Sequence, residues 1–413
     1  MKTGNVMPLT QVFVSISDPR SARHKRHDLA ELLTIAVCAV LSGVDDFVDI
    51  ELWAEAKIDW LRRFMKLEHG IPSHDTLGRV FGLIAPEEFE TAFRRWVAMV
   101  LPSLAEDAVV AIDGKSSRRT ASKGSTSAPP LRRVSAFAAG MGLVLGQTAT
   151  AEKSNEITAI PELLTKLALE GCIVTIDAMG TQTKIARTIR ERGAHYVLSV
   201  KDNHPKLLDS IMLAGLDSKK ALQPVSTHEM EDSNHGRSEI RRCHAFDATE
   251  LIYKSEDWKD LASFAVVERV RTVGNQTSTE RAYYISSLPA EAERIANAVR
   301  SHWEVENRLH WCLDVQFNDD QSRVRSGYAA NNLAVVRHIV MNLLRLDSTR
   351  KARLKSKRML AATLDDYRTE LLGLMPYRGD CSGSGHGSRR AGSGLAFEHF
   401  AVRMRCSRSA TFA

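Results

Sequence analysis

Two aspartates in this chain each end a run of apolar residues. Asp113 follows Ala108-Val109-Val110-Ala111-Ile112 and precedes Gly114, and Asp177 follows Cys172-Ile173-Val174-Thr175-Ile176 and precedes Ala178-Met179-Gly180. Short continuous apolar runs of this kind are typical of strands buried on both faces. The carboxyl ends of such strands are where open α/β sheets gather ligands. A single aspartate there also caps turns on its own account. Two of them on neighbouring strands repel, and one pKa rises unless a cation compensates the charge. Oxygen donors select a hard divalent ion, Mg2+ or alternatively Mn2+.

A helix supplies the third acid. In Val299-Arg300-Ser301-His302-Trp303-Glu304-Val305-Glu306-Asn307-Arg308-Leu309 two glutamates compete for the role. Glu304 is four residues from both Arg300 and Arg308, the spacing of surface salt bridges. Glu306 shares its helical face with Val299, His302, Leu309 and Leu313, an otherwise mostly apolar stripe. A carboxylate facing a core needs a partner, because an unpaired buried charge is expensive. Glu306 is therefore the expected ligand, while His310 and Trp311 read as packing residues. Three carboxylates holding two divalent ions suit in-line attack on a phosphodiester. Positioning and electrostatics then carry most of the catalysis.

A sheet must bring these acids together. Residues 108–112, 134–138, 143–150, 172–176 and 195–200 read as strands, the second and third joined through Gly140-Met141-Gly142 as a hairpin. That glycine pair is no dinucleotide loop, since it lacks the spacing and opens onto a strand. Helices are expected at 156–169 and 181–192, the latter ended by Gly193. Hairpin strands followed by alternating helices and strands are the order of a ribonuclease-H-like core. The expected fold class is α/β: a ribonuclease-H-like mixed sheet flanked by helices, with a β-rich insertion and a helical N-terminal domain.

The boundaries follow from composition. Residues 18–104 read as the helical domain, with Leu29, Leu32, Leu33, Ala36, Val37 and Val40 at helical spacing and Ser73 as an N-cap. The helices meeting near Ser73 form either a helix-turn-helix-like DNA-binding unit or a plain bundle, and the sequence leaves both open. Residues 105–221 hold the first part of the core. Residues 222–288 form the insertion, with strand-like runs at 238–245, 264–273 and 281–287. Residues 289–374 return to helix, at 289–317 and 331–346. Residues 1–17 carry no clear pattern, and 375–413, rich in Gly, Ser and Arg, read as a disordered tail.

Among the 413 residues, 44% are hydrophobic and 26% charged, the balance of a soluble globular protein. The longest apolar stretch, 32–44, is too short for a membrane span. With no signal-peptide pattern at the amino terminus, a cytoplasmic location is expected. Six cysteines without any C-x-x-C pair argue against zinc knuckles and a disulfide framework, leaving reduced, mostly buried thiols. The net charge is +6, and from Arg345 onward fourteen Lys or Arg face six acids. A second basic stretch, 115–133, carries Lys115, Arg118, Arg119, Lys123, Arg132 and Arg133 with no acid. Clustered cations serve as a solvated face or bind a polyanion such as DNA.

At these residues the chain resembles the H-repeat-associated insertion-sequence transposases, a bacterial branch of the DDE superfamily. The resemblance spans about residues 18–374. Ala111-Ile112-Asp113-Gly114-Lys115 resembles the first-aspartate block; Lys153-Ser154-Asn155-Glu156-Ile157 and the run 174–182 resemble the next two. His235-Gly236-Arg237-Ser238-Glu239-Ile240-Arg241 and the run 302–315 resemble later blocks. The resemblance implies a triad of Asp113, Asp177 and Glu306, magnesium as cofactor (manganese as alternative), and cutting and joining of double-stranded DNA at element ends. It also implies a homo-oligomer on DNA, because two ends are joined together, and no membrane partner. Where the superfamily has Tyr, Arg and Lys around the glutamate, this chain has Val299, His302 and Leu313, and His204 stands where Gln is usual. Lys115, Arg118, Arg119, Lys201, Arg237 and Arg241 are the expected DNA-binding residues. A nuclease that cuts without joining and a decayed, merely DNA-binding element are the competing readings.

Overall fold

The computed structural model describes residues 9–375, apart from 22, 24, 102, 122–128, 151–155, 216–221, 235–236 and 252–256. The tail expected to be disordered lies outside the described residues, as do Lys123 and Lys153-Ser154-Asn155.

The amino-terminal helices are α1 (Leu9–Val14), α2 (Leu29–Leu41), α3 (Phe47–Ala56), α4 (Ile58–Leu61), α5 (His74–Leu83) and α6 (Pro86–Val100). Asp28 caps α2 by accepting the Glu31 N–H, and Ser73 caps α5 by accepting that of Thr76, as its sequence position predicts. α2 is apolar almost all round and is buried along its length, so it is a core helix, not an amphipathic surface one. Although residues 1–17 carry no readable pattern, 9–14 form a helix. Leu9, Val12 and Phe13 are buried, with Phe13 edge-on to Phe89 of α6 at 5.9 Å between ring centres. Six residues are too few to display a period.

The chain then builds a nine-stranded mixed sheet from β1 (Val109–Ser117), β2 (Leu131–Ala138), β3 (Leu143–Ala149), β4 (Ile173–Ile176), β5 (His195–Val200), β6 (Ser226–Asn234), β7 (Arg237–Asp247), β8 (Ser263–Val273) and β9 (Gln276–Ser286). Its order is β3-β2-β1-β4-β5-β9-β8-β7-β6. Only β1-β4 and β4-β5 pair in parallel. Between the strands lie α7 (Glu156–Thr165), α8 (Thr183–Glu191) and α9 (Pro205–Ala214). The run β1-β2-β3-α7-β4-α8-β5 is the order expected of the core. The β-rich segment extends the same sheet: β9 pairs antiparallel with β5, and β6, a polar strand with no apolar alternation, closes the edge.

After the sheet, the stretch read as one helix from 289 to 317 is broken into three parts. α10 (Ala292–His302) lies across the sheet, a π-helical turn (Val305–His310) follows, and α11 (Trp311–Phe317) continues. α12 (Ala329–Leu346), α13 (Leu354–Thr363) and α14 (Asp365–Leu372) complete the described chain.

α12 joins the helical layer to the sheet and is buried on nearly every side. Two of its buried asparagines are held by backbone groups. Asn342 exchanges two hydrogen bonds with the Val144 backbone of edge strand β3, at 2.9 and 2.8 Å, and so blocks that edge. Asn332 donates to the carbonyls of Phe81 and Ile84 at the end of α5. Beneath the far end of β1, Asp319 is wholly buried between Arg133 and Arg337, each 2.7 Å away, and accepts from Ser117. A buried carboxylate is tolerable there because its charge is over-matched and its oxygens are bonded.

Among the described residues no helix is long and apolar enough to cross a membrane. Among the described residues Cys38, Cys172, Cys243 and Cys312 are free thiols, the first three buried.

Candidate active site

The parallel pairing of β1 with β4 ends at Ile112 opposite Ile176. Asp113 and Asp177 are the next residue on each strand, so the two acids emerge side by side at one sheet edge. β4 stops there. β1 runs on to Ser117, held by β2, with Asp113 opposite Ser135. The apolar run thus marks only the part of β1 that has neighbours on both sides.

Each aspartate spends one oxygen locally. Asp113 Oδ1 accepts the Gly114 N–H at 2.8 Å, and Asp177 Oδ1 accepts that of Gly180 at 3.2 Å, capping a short 3-10 turn. Turn capping and a site role coexist, because a carboxylate has further lone pairs. The loop after Asp177 is pinned from the loop after β5. Asn203 donates to the Ala178 carbonyl, and the His204 ring to that of Thr181, both at 2.6 Å. A glutamine amide at 204 would donate in the same way, which accounts for a histidine in that place.

The third acid arrives on the π-helical turn, where one extra residue re-aims the side chains; such turns recur at functional sites. Glu304 pairs with Arg308, the surface role its spacing predicts. Glu306 does not face the core: its side chain is 57% exposed, while Val305, Leu309 and Leu313 carry the packing. The apolar-stripe expectation is corrected on that point. Glu306 instead leans toward the sheet edge, where His310 Nδ1 lies 3.6 Å from its Oε2 and 3.5 Å from Asp113 Oδ2. His310 is therefore part of the constellation, whereas Trp311 projects outward, 54% exposed. The i+4 spacing from Glu306 was the available signal for His310. His302, one turn before, bonds through Nδ1 to Thr175 Oγ1 at 3.0 Å. Val299 and Leu313 are packing residues.

The electrostatics match the crowding. Burial pushes the Asp113 carboxyl up to about 6, with Glu306 and Asp177 adding to the rise against His310 and the Gly114 N–H. Burial also raises Glu156, with Asp177 reinforcing it. Glu306 is lowered, first by its contact with His310. Ligand atoms of Asp113, Glu306 and His310 all lie within 4.8 Å of one another, a set able to hold a metal ion.

The expected DNA-binding residues separate into two groups. Arg118, Arg119 and Lys201 are exposed, and Lys201 follows β5 at the same edge as the acids. Lys115 points inward, its side chain 8% exposed and its Nζ 2.7 Å from Asp314. Arg241 is paired with Glu239 on the outer strands. Arg237 is in β7, but its side chain lies outside the described residues.

The sequence matches the family described as Transposase DDE domain over residues 105–343, and the one described as DDE_Tnp_1-associated over 10–97. It is 38% identical to the "H repeat-associated putative transposase YhhI" of Escherichia coli K12, over 86% of this chain and 95% of that protein. It is 36% identical to the "Putative transposase YncI" of Escherichia coli O157:H7, over 89% and 95%. A solved piggyBac transposase synaptic complex with hairpin DNA aligns at a TM-score of 0.41 and 10% identity, covering 89% of this chain and 77% of that one. That likeness is too distant to bear on the reading.

Proposed function

The chain belongs to the DDE transposase family, in its H-repeat-associated branch, and we propose that it cuts and joins DNA at insertion-element ends with Asp113, Asp177 and Glu306 as the catalytic, metal-holding acids. One observation carries this assignment above the others: Ile112 and Ile176 are in register on parallel strands, so the acids that follow share one edge. Glu306 joins them through His310.

The residues fit a divalent ion. Carboxylate oxygens dominate the donor set, and Asp113 is crowded by acids that a cation would relieve. Such donors suit Mg2+, with Mn2+ as a substitute. When bound, the ions supply Lewis-acid polarisation of the phosphate and a more acidic attacking hydroxyl. The chain's own part is orientation. The Gly114 and Gly180 N–H groups fix the rotation of the two aspartates, and His310 steadies Glu306. Water serves as nucleophile for cutting and a 3′-hydroxyl for joining, both by in-line displacement, so no side chain forms a bond to DNA.

The substrate is double-stranded DNA, both element end and target. Arg118, Arg119 and Lys201 are exposed to phosphates, Arg118 through a loose, exposed pair with Asp320; Lys115 and Arg241 reach a phosphate only by giving up a more buried carboxylate partner. A homo-oligomer on DNA is the proposed working form, since joining two ends requires two sites held together. Incubation with a cognate end and Mg2+ tests the reading by the products formed. Joined strands are expected. Cleavage alone would leave a nuclease, and binding with no metal-dependent cleavage would end the catalytic assignment.

A further inference from the structure

We infer that Glu156 is a fourth carboxylate of the metal-binding centre, an inference that rests on the triad reading and deepens it. Glu156 opens α7, and its carboxylate lies directly over Gly114, the residue after Asp113. A Cβ built at position 114 would stand 2.1 Å from Oε1, 2.3 Å from Cδ and 2.7 Å from Oε2. Gly114 has no positive φ, so its backbone conformation does not call for glycine. What calls for it is room: any side chain there would expel the carboxylate.

The same helix is fixed against the other aspartate's loop. A Cβ at Gly180, three residues past Asp177, would stand 2.9 Å from Ile160 Cδ1 of α7. Ala159, Ile160, Leu163 and Leu164 are buried beneath. Glu156 is thus carried by a packed helix that touches the residue after one acid and the turn after the other, the rigid support a ligand requires.

Its surroundings offset the charge only in part. Glu156 is half-buried, and among the described residues no hydrogen bond reaches its carboxylate. Asp177 repels it, while the exposed Arg132 and the His310 ring favour its charged form. Such an acid is costly unless a cation joins it. With Glu156 included, four carboxylates match the charge of the two divalent ions that in-line phosphoryl chemistry uses.

Calorimetric titration of the full-length protein with Mn2+, alone and without DNA, tests this. Glu156→Gln is expected to weaken Mn2+ binding by about tenfold or more, with an unchanged unfolding midpoint and unchanged metal-free DNA binding. Gly114→Ala should give the same loss by displacing the carboxylate. Asp113→Asn is the control for the triad. Wild-type Mn2+ affinity in Glu156→Gln, with loss in Asp113→Asn, would overturn the role of Glu156 and leave the triad standing. Wild-type affinity in both variants, or no Mn2+ binding by the wild-type protein, would overturn the two together.

Discussion

His310 Nδ1 lies 3.5 Å from Asp113 Oδ2, so a side chain of the π-helical turn reaches the acid that emerges from the middle of the sheet. The same nitrogen is 3.6 Å from Glu306, one turn back on the same element. Strand and helix are thus coupled by one imidazole, and Glu306 is oriented toward Asp113 even though it is exposed. Glu304, two residues earlier, is turned away into its pair with Arg308.

The two glutamates therefore separate by function. Glu306→Gln is expected to lower metal-dependent cleavage at least a hundredfold, because a ligand is lost. Glu304→Gln should stay within a few-fold, since an exposed ion pair contributes about 0–1 kcal/mol. Single-turnover cleavage rates of the two variants check this, and the reverse ranking would show that the wrong glutamate was chosen.

Asp319 is the buried anchor below the site. Burial pushes its carboxyl up, but Arg133 and Arg337 more than reverse this, leaving it well below the usual carboxylate range. A depressed folded pKa contributes stability above the unfolded value, near 3.9, and that stability is lost as pH falls further. Asp319→Asn leaves two buried guanidiniums without their anion and should cost about 3–5 kcal/mol. Urea unfolding at pH 7 measures the loss, which should shrink toward pH 3.

Glu90 behaves in the opposite sense. Burial raises it to about 7, against the Asn331 amide that donates to it at 3.2 Å. A raised folded pKa gives stability that is complete below the unfolded value, near 4.3, and is lost as pH rises through about 7. Glu90→Gln keeps the shape without the ionisation, so the variant should gain stability relative to wild type as pH rises from 5 to 8. Thermal melts across that range would show a constant difference if Glu90 were ionised throughout.

Among the basic residues, exposure predicts who meets DNA. Removing one phosphate contact should reduce the slope of log affinity against log salt by about 1. Arg118→Ala and Lys201→Ala are expected to do so. Lys115→Ala should instead lower stability, since its side chain is 8% exposed and its ammonium is bound to Asp314. Fluorescence anisotropy over a salt series separates the groups, and a reduced slope for Lys115→Ala alone would reverse the assignment.

Much of the frame was legible because it is local. The apolar runs before Asp113 and Asp177 announce buried strands, and Ser73 announces a helix start. The rest depends on distant partners. β6 has no apolar alternation because it is a polar edge strand, and α1 is too short to show a period. The π-helical turn cannot be told from an ordinary one by spacing, so the shared helical face points to Glu306 but not to its exposure. Nothing near Lys115 in the sequence signals Asp314, 199 residues away. Glu156 sits in a recognisable block, yet its closeness to Gly114 exists only once α7 packs on the sheet.

The most direct measurement is single-turnover cleavage and joining of a cognate DNA end in Mg2+ by wild type, Asp113→Asn and Asp177→Asn. The shared-edge arrangement predicts Mg2+-dependent cleavage and joining by wild type. Both variants should lose at least a hundredfold in each step while binding the DNA end normally. Wild-type rates in either aspartate variant would contradict the assignment of that edge as the catalytic centre.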